Sequence, residues 1–242
     1  RKPSPNAALQ YIAPKWYPGI RNRDEILLSS SDIQTLPQQL LRENPFIWKT
    51  AFRGSPRDSR LLGRLHDLRT LDTLLSEIGL LTGVHRGRGI TFGKGEQKDA
   101  SRFQGVPFLG GDAPKRRYSL NVDDLPLFPR ATVASRSNQV ILELPALVLS
   151  RALLNYRPCA SLVAPSRDRT RLVISQSYYG ISFPCPLSWL AYRVNALLNS
   201  KLALYWAFMT SPALGVDRKL IEVEDWLGIP IPETILEQSA EL

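Results

Sequence analysis

The 242-residue sequence predicts an α+β fold: a mixed, mostly antiparallel β region flanked by helices at both ends of the chain. Three observations predict it. Leucines recur at threes and fours between residues 56 and 78. Short β-branched runs, punctuated by Gly and Pro, fill the middle. A second helical apolar face appears between 188 and 211. Hydrophobic residues make up 43% of the chain and charged residues 22%, which is the balance of an ordinary globular protein with a sizeable core.

Residues 1–24 are Pro-rich and aromatic ("IAPKWYPGIRNRD") and read as an extended N-terminal linker. The rest, 25–242, reads as one domain, with a helical part at 30–79, a strand-rich part at 80–187 and a closing helix and tail at 188–242. "SSDIQTLPQQLLREN" has near-helical apolar spacing and stops at Asn44-Pro45. In the next stretch Leu61, Leu62, Leu65, Leu68, Leu71, Leu74, Leu75 and Ile78 form one stripe. Ser55 is placed to cap this helix, Pro56 suits its first turn and Gly79 can end it. The stripe reads as core.

"VILELPALVLSRALL" (140–154), "ASLVAP" (160–165) and "TRLVISQSYYGISF" (170–183) read as strands, with "RDRTR" at 167–171 as a hairpin tip between two of them. "SWLAYRVNALLNSKLALYWAFMTS" reads as one closing helix that stops before Pro212. Leu190, Val194, Leu197, Leu198, Leu202 and Trp206 should face inward, with Arg193 and Lys201 outside.

The formal net charge is +9, which favours a polyanionic partner. It is unevenly spread. Residues 84–117 hold eight Lys/Arg against three acids, and residues 151–171 hold five arginines against Asp168. The remainder balances, so these two windows carry the whole excess. They are expected to come together on one face and track a DNA duplex.

Two cysteines, Cys159 and Cys185, without a CxxC pair, and only two histidines argue against a zinc site and fit a reducing cytoplasm. No run of 18 apolar residues is present, so no membrane span is expected. The start, "RKPSPNAALQ", lacks an initiator Met and an apolar signal core, as a piece of a longer protein would.

Catalytic patterns are weak. "HRGRGITFGKG" (85–95) is glycine-rich and basic, with Phe92 as an exposed-looking aromatic. Its glycines miss the dinucleotide spacing by one residue, and Gly93-Lys94 is followed by Gly95 instead of Ser or Thr. A glycine-rich basic loop lying against a phosphate backbone fits better. Asn44-Pro45-Phe46 lacks the second proline of an amino-methyltransferase tetrapeptide and reads as a helix-stop turn. His66 reads as a surface or half-buried histidine, His85 as solvent-exposed, and Asp123-Asp124 as a solvated turn. No catalytic residue and no metal ligand are assigned.

Four segments together resemble the C-terminal specificity domain of TaqI-like adenine-specific DNA methyltransferases of restriction–modification systems. They are "NPFIWKTAFRGSPRDSRLLGRL" (44–65), "GVHRGRGITFGKG", "SLNVDDLPLF" with the strand-rich middle, and "YRVNALLNSKLALYWAFMTSPALGVDRKLIEVEDWLGIPIP" (192–232). The Leu-Asn-Ser-Lys after the helix is the most specific feature. The resemblance implies double-stranded DNA as the partner, read on behalf of an N-terminal methyltransferase domain that binds S-adenosylmethionine. This chain itself would hold no cofactor.

The DNA-binding residues then expected are Arg86, Arg88, Lys94, Lys98, Arg102, Lys115, Arg116, Arg117, Arg167, Arg169 and Arg171. Gln104, Gln176 and Asn138 are adenine readers by residue type alone. Two alternatives stand beside this reading: a standalone DNA-modifying enzyme with an unfamiliar site, and a protein-docking scaffold built on helices 56–78 and 188–211.

Overall fold

A computed structural model describes residues 7–14, 26, 28–43, 46–82, 86–93, 97–113, 116–134, 141–155, 157–212, 214 and 220–237. The chain divides into two compact units. The first comprises residues 1–67 with 208–212; the second comprises 68–207 with 213–242.

In the first unit, β1 (Ala8–Ile12) pairs antiparallel with β2 (Ile33–Pro37). The stretch expected to be linker therefore supplies a strand. The helix expected over 30–43 is confined to α1 (Gln38–Glu43), because β-branched Ile33 and Thr35 lie in the ladder opposite Ile12 and Gln10. α2 (Phe46–Arg53) and α3 (Pro56–His66) follow. α3 opens with a capping box: the Ser55 backbone N–H donates to the Asp58 carboxylate at 2.8 Å, and the Asp58 backbone N–H donates to Ser55 Oγ at 3.4 Å. Residues 208–212 return to this unit. Lys49 Nζ donates to the Ser211 carbonyl at 2.5 Å, and the Arg53 guanidinium lies 5.0 Å from the centre of the Phe208 ring.

The second unit begins with α4 (Leu71–Thr82). The leucine stripe is thus two helices, not one. The break has a physical cause: the Leu71 N–H is taken by the Ile229 carbonyl, and the Ile231 N–H donates to the Arg69 carbonyl. Residues 69–71 are held as an extended bridge to the chain's end, and Thr70 Oγ1 then caps α4 by accepting from the Thr73 N–H.

The strands are β3 (Arg86–Arg88), β4 (Gln97–Asp99), β5 (Phe108–Leu109), β6 (Tyr118–Asn121), β7 (Thr132–Ala134), β8 (Leu142–Glu143), β9 (Ala146–Ser150), β10 (Ala160–Ala164), β11 (Arg171–Ile174) and β12 (Tyr178–Ser182). They form a five-stranded sheet in the order β3-β12-β9-β10-β6, a three-stranded sheet β5-β11-β8 and a two-stranded ribbon β4-β7. Pairing is antiparallel except for β10–β6 and β11–β5. Since β10 and β11 belong to different sheets, residues 167–171 cross between sheets and are not a hairpin tip.

β11 explains how the core is arranged. Leu172 and Ile174 join one buried cluster, with Leu142, Val148 and Tyr178. Val173 between them joins another, with Ile90, Phe103, Phe108 and Phe128. The period of two along the strand puts one apolar cluster on each face of the small sheet, which is why this strand reads as a continuous apolar run. Tyr178 lies in the first cluster, and its hydroxyl has no hydrogen-bond partner among the described residues. Burial, with lesser contributions from Cys159 and Asp112, pushes its pKa up to about 12.

α5 (Ser188–Leu198) packs on β10 and β9. The single closing helix that was expected is broken at Asn199 and resumes as α6 (Lys201–Thr210), with Ser200 Oγ accepting from the Ala203 N–H. Leu190, Val194, Leu197, Leu198 and Trp206 are buried as expected, while Leu202 is half-buried. Lys201 is exposed, whereas Arg193 is half-buried, with its guanidinium 5.3 Å from the Trp189 ring and donating to the Ile235 carbonyl. α7 (Val223–Leu227) follows, and Trp226 Nε1 donates to the Ser150 carbonyl at 3.2 Å. The architecture is α+β with helices at both ends of the chain.

Candidate nucleic-acid interface

The glycine-rich basic segment is not a loop over residues 86–90. It is the edge strand β3, with Arg86, Gly87 and Arg88 opposite Ile181, Gly180 and Tyr179 of β12, and it continues into a bridge between Ile90 and Ser175. A methyl group on Gly89 would overlap the backbone oxygens of Ile174 and Ser175. That glycine serves close packing of backbone on backbone, not approach to a phosphate. Phe92, which looked exposed, packs into the second cluster: its ring centre lies 5.5 Å from Phe108 and 5.9 Å from Phe128. His85, Lys94, Lys115, Asn44, Pro45 and Asn138 lie outside the described residues.

The basic windows do not gather at one place. Arg86 and Arg88 sit on one edge of the five-stranded sheet, and Arg116 and Arg117 immediately precede β6 on the other. Four strand spacings, about 19 Å, separate those edges. At the β3 edge, Arg86 meets Asp72 of α4 at 2.6 Å and Arg88 meets Glu224 of α7 at 3.2 Å. Close to these, Arg151 Nη2 donates to both carboxylate oxygens of Glu222, at 2.9 and 2.6 Å.

The other edge is built around a single turn of 3-10 helix at Val122–Asp124. Arg169 donates to the carbonyls of Val122, Asp123 and Leu125 at 3.0, 3.3 and 3.0 Å, which satisfies the C-terminal end of that turn. Its Nε also lies 3.7 Å from the Asp123 carboxylate, and Arg116 lies 3.9 Å from Asp124. Asp123-Asp124 is therefore an organised acidic turn, reinforced by Ser166 Oγ donating to Asp123 at 2.8 Å. Arg117 is tied to Asn199. Among the described residues five window arginines thus pair with an acid from outside the windows, so the charge count overstates the free positive surface.

Arg167 and Arg171 are exposed and make no ion pair with any described residue. Arg171 lies across the ladder from Glu143. Lys98 is half-buried on β4, where the neighbouring Asp99 carboxyl is held below the usual carboxylate range by the Ser101 hydroxyl and backbone N–H. Arg102 is exposed, with its guanidinium 4.9 Å from the Phe103 ring centre. Sequence reasoning missed Arg130, which covers the Phe92 ring at 4.5 Å and is itself exposed. Its only sequence signal was a lone arginine after Phe128-Pro129, outside both windows.

The second cluster therefore displays exposed Arg102 and Arg130 over its aromatic rings. Gln176 stands nearby in the turn after β11, exposed, with its side-chain oxygen accepting from Thr91 Oγ1 at 3.1 Å. Gln104 is exposed at the end of the short helix Ser101–Phe103. His66 lies exposed on α3. Cys159 is buried and donates to the Arg116 carbonyl; Cys185 is exposed. Among the described residues no group of three or more His, Cys, Asp or Glu could hold a metal ion, and no helix is long and apolar enough to cross a membrane.

No family model and no curated protein matches this chain. Two solved structures are similar to it in part. The HsdS subunit from Thermoanaerobacter tengcongensis aligns with a TM-score of 0.30 and 16% identity, covering 90% of this chain and 55% of that one. A chain from a structure described as the structural basis underlying complex assembly and conformational transition of the type I R-M system aligns with a TM-score of 0.29 and 14% identity, over the same shares. This chain spans about half the length of each.

Proposed function

We propose that this chain is a DNA target-recognition domain of a restriction–modification enzyme. In this reading it directs adenine methylation by a catalytic domain that binds S-adenosylmethionine. One observation carries the reading: exposed strand ends and turns of the second unit display Arg102, Arg130, Arg167 and Arg171, besides Arg88 and Arg116, whose charge is shared with Glu224 and Asp124. Such a display suits phosphate anchoring, while the exposed Gln104 and Gln176 beside it have the donor–acceptor pair that adenine presents. The resemblance of four segments to methyltransferase specificity domains supports the same assignment. Gly87 and Gly89 are used in an edge strand and its packing, so they offer no cradle for a cofactor, and no step is derived through one.

A titration of labelled duplex DNA at several salt concentrations tests this. With five of the thirteen window cations ion-paired among the described residues, and about four of the thirteen on phosphates, log affinity should fall against log salt with a slope of about −4. Arg171→Ala should reduce that slope by about one. A salt-independent affinity overturns the proposal.

A further inference from the structure

The turn between β11 and β12 carries Gln176, and three neighbouring segments hold that turn through backbone alone. The Gln176 N–H donates to the Ile90 carbonyl at 2.8 Å and the Ser175 N–H to the Leu109 carbonyl at 3.0 Å. The Arg151 N–H donates to the Ser177 carbonyl at 3.1 Å. Two glycines let these segments close on the turn. A methyl group on Gly89 would overlap the backbone oxygens of Ile174 and Ser175, and one on Gly111 would lie 2.9 Å from Ser177 Oγ.

On this rigid base the Gln176 side chain is exposed. Its Oε1 accepts from Thr91 Oγ1 at 3.1 Å, while its Nε2 has no hydrogen-bond partner among the described residues. The backbone bonds already fix the turn, so the Thr91 hydroxyl is not required to hold it. What that hydroxyl restrains is the orientation of an exposed amide. A free glutamine loses rotamer freedom when it binds a ligand; one that is already held loses less. Gln104 shows the contrast: it is exposed too, but its side chain makes no hydrogen bond among the described residues.

We propose that Gln176 reads one adenine in the major groove of duplex DNA, and that Thr91 is the positioning residue that orients its amide. This inference rests on the DNA-recognition reading above. The chemistry selects adenine. Nε2 can donate to adenine N7, and Oε1, which keeps a second lone pair beside its bond to Thr91, can accept from the N6 amino group. Guanine presents acceptors at both N7 and O6, so the amide oxygen would face an acceptor. A cation for the backbone stands near: Arg130 is exposed, with its guanidinium 4.5 Å from the ring centre of Phe92, the residue after Thr91.

The test uses the full chain and a pool of duplexes whose central base pairs are randomised, with the bound fraction sequenced at fixed salt. Wild type should enrich an adenine at one position that Gln176→Ala no longer selects, with the other positions, the salt slope and the melting temperature unchanged. Thr91→Val should relax that same position, and Thr91→Ser should restore it. In the enriched duplex, 7-deazaadenine at that position should weaken wild type by about 5- to 150-fold and leave Gln176→Ala unaffected. Full wild-type preference in Gln176→Ala overturns the inference and leaves DNA recognition standing. Relaxation at a guanine or thymine overturns the adenine assignment. Preference lost at every position together with a lowered melting temperature shows a structural glutamine and overturns it as well. Absence of any enrichment by wild type overturns both this inference and the reading beneath it.

Discussion

Arg117 and Asn199, 82 positions apart, are joined twice: the guanidinium Nε donates to the Asn199 side-chain oxygen at 3.2 Å, and Nη2 donates to the Asn199 backbone oxygen. The same side-chain oxygen accepts from the Ala160 N–H at 3.3 Å, and the Asn199 amide donates to the Ala160 carbonyl at 2.8 Å. Asn199 thus fastens the end of α5 to β10 and holds Arg117 in place. Replacing Asn199 by Ala leaves two buried backbone groups unpaired, at about 1–3 kcal/mol each. Arg117→Ala should cost less, and the two changes should couple by at least about 0.5 kcal/mol in a double-mutant cycle. Urea denaturation measures all three. If the losses simply add, the link is incidental.

That pair shows what the sequence could and could not convey. The Leu-Asn-Ser-Lys signature stood out, but as a family mark with no stated role. Its role needs β10, which comes 39 residues earlier. The helical periods, the strand-rich middle and the inward faces of Leu190, Val194 and Leu198 were legible, because amphipathicity is a local property. The break at Asp67–Thr70 was not, since it depends on the backbone of Ile229 and Ile231. The charge windows misled for the same reason. Their counter-ions Asp72, Glu222 and Glu224 are distant in sequence, and linear counting treats them as belonging elsewhere.

The glycines should rank by what surrounds them. Gly89→Ala drives a methyl into backbone oxygens and should cost about 3 kcal/mol or more. Gly180→Ala meets the side-chain ends of Leu142 and Ile174, which can yield, and should cost about 1–3 kcal/mol. Gly93→Ala meets only the Ala134 Cβ at 3.9 Å and should be near neutral. Chemical denaturation of the three variants checks the order; a neutral Gly89→Ala would show that β3 does not pack as described.

Tyr178 should make the fold sensitive to alkali. Its pKa is raised in the folded state, so the folded protein keeps a proton that the unfolded chain releases near pH 10. Stability is then complete below pH 10 and falls as pH rises towards 12, by about 2–3 kcal/mol from this residue. Tyr178→Phe removes a buried hydroxyl that has no partner, so it should retain or raise stability at neutral pH and flatten the alkaline decline. Melting temperatures of both proteins across pH 8 to 12 decide it.

Two arginines two residues apart should behave in opposite ways. Arg169 closes a turn through three carbonyls, so Arg169→Ala should lower the melting temperature by several degrees and impair DNA binding only through loss of fold. Arg171 is exposed on the neighbouring strand, and Arg171→Ala should leave the melting temperature unchanged while weakening duplex binding. Calorimetry paired with anisotropy on both variants separates the roles.

The first unit is discontinuous, since residues 208–212 complete what residues 1–67 begin. During synthesis the early part leaves the ribosome roughly 7–28 s before its last piece, at about 5–20 residues per second. Through that interval Lys49 and Arg53 wait for Ser211 and Phe208, and strands β3 to β12 of the second unit emerge in between. A stop codon after Asp67 would not liberate this unit as an independent module. A gene that splices 208–212 directly behind residue 67 is the shortest that encodes it whole.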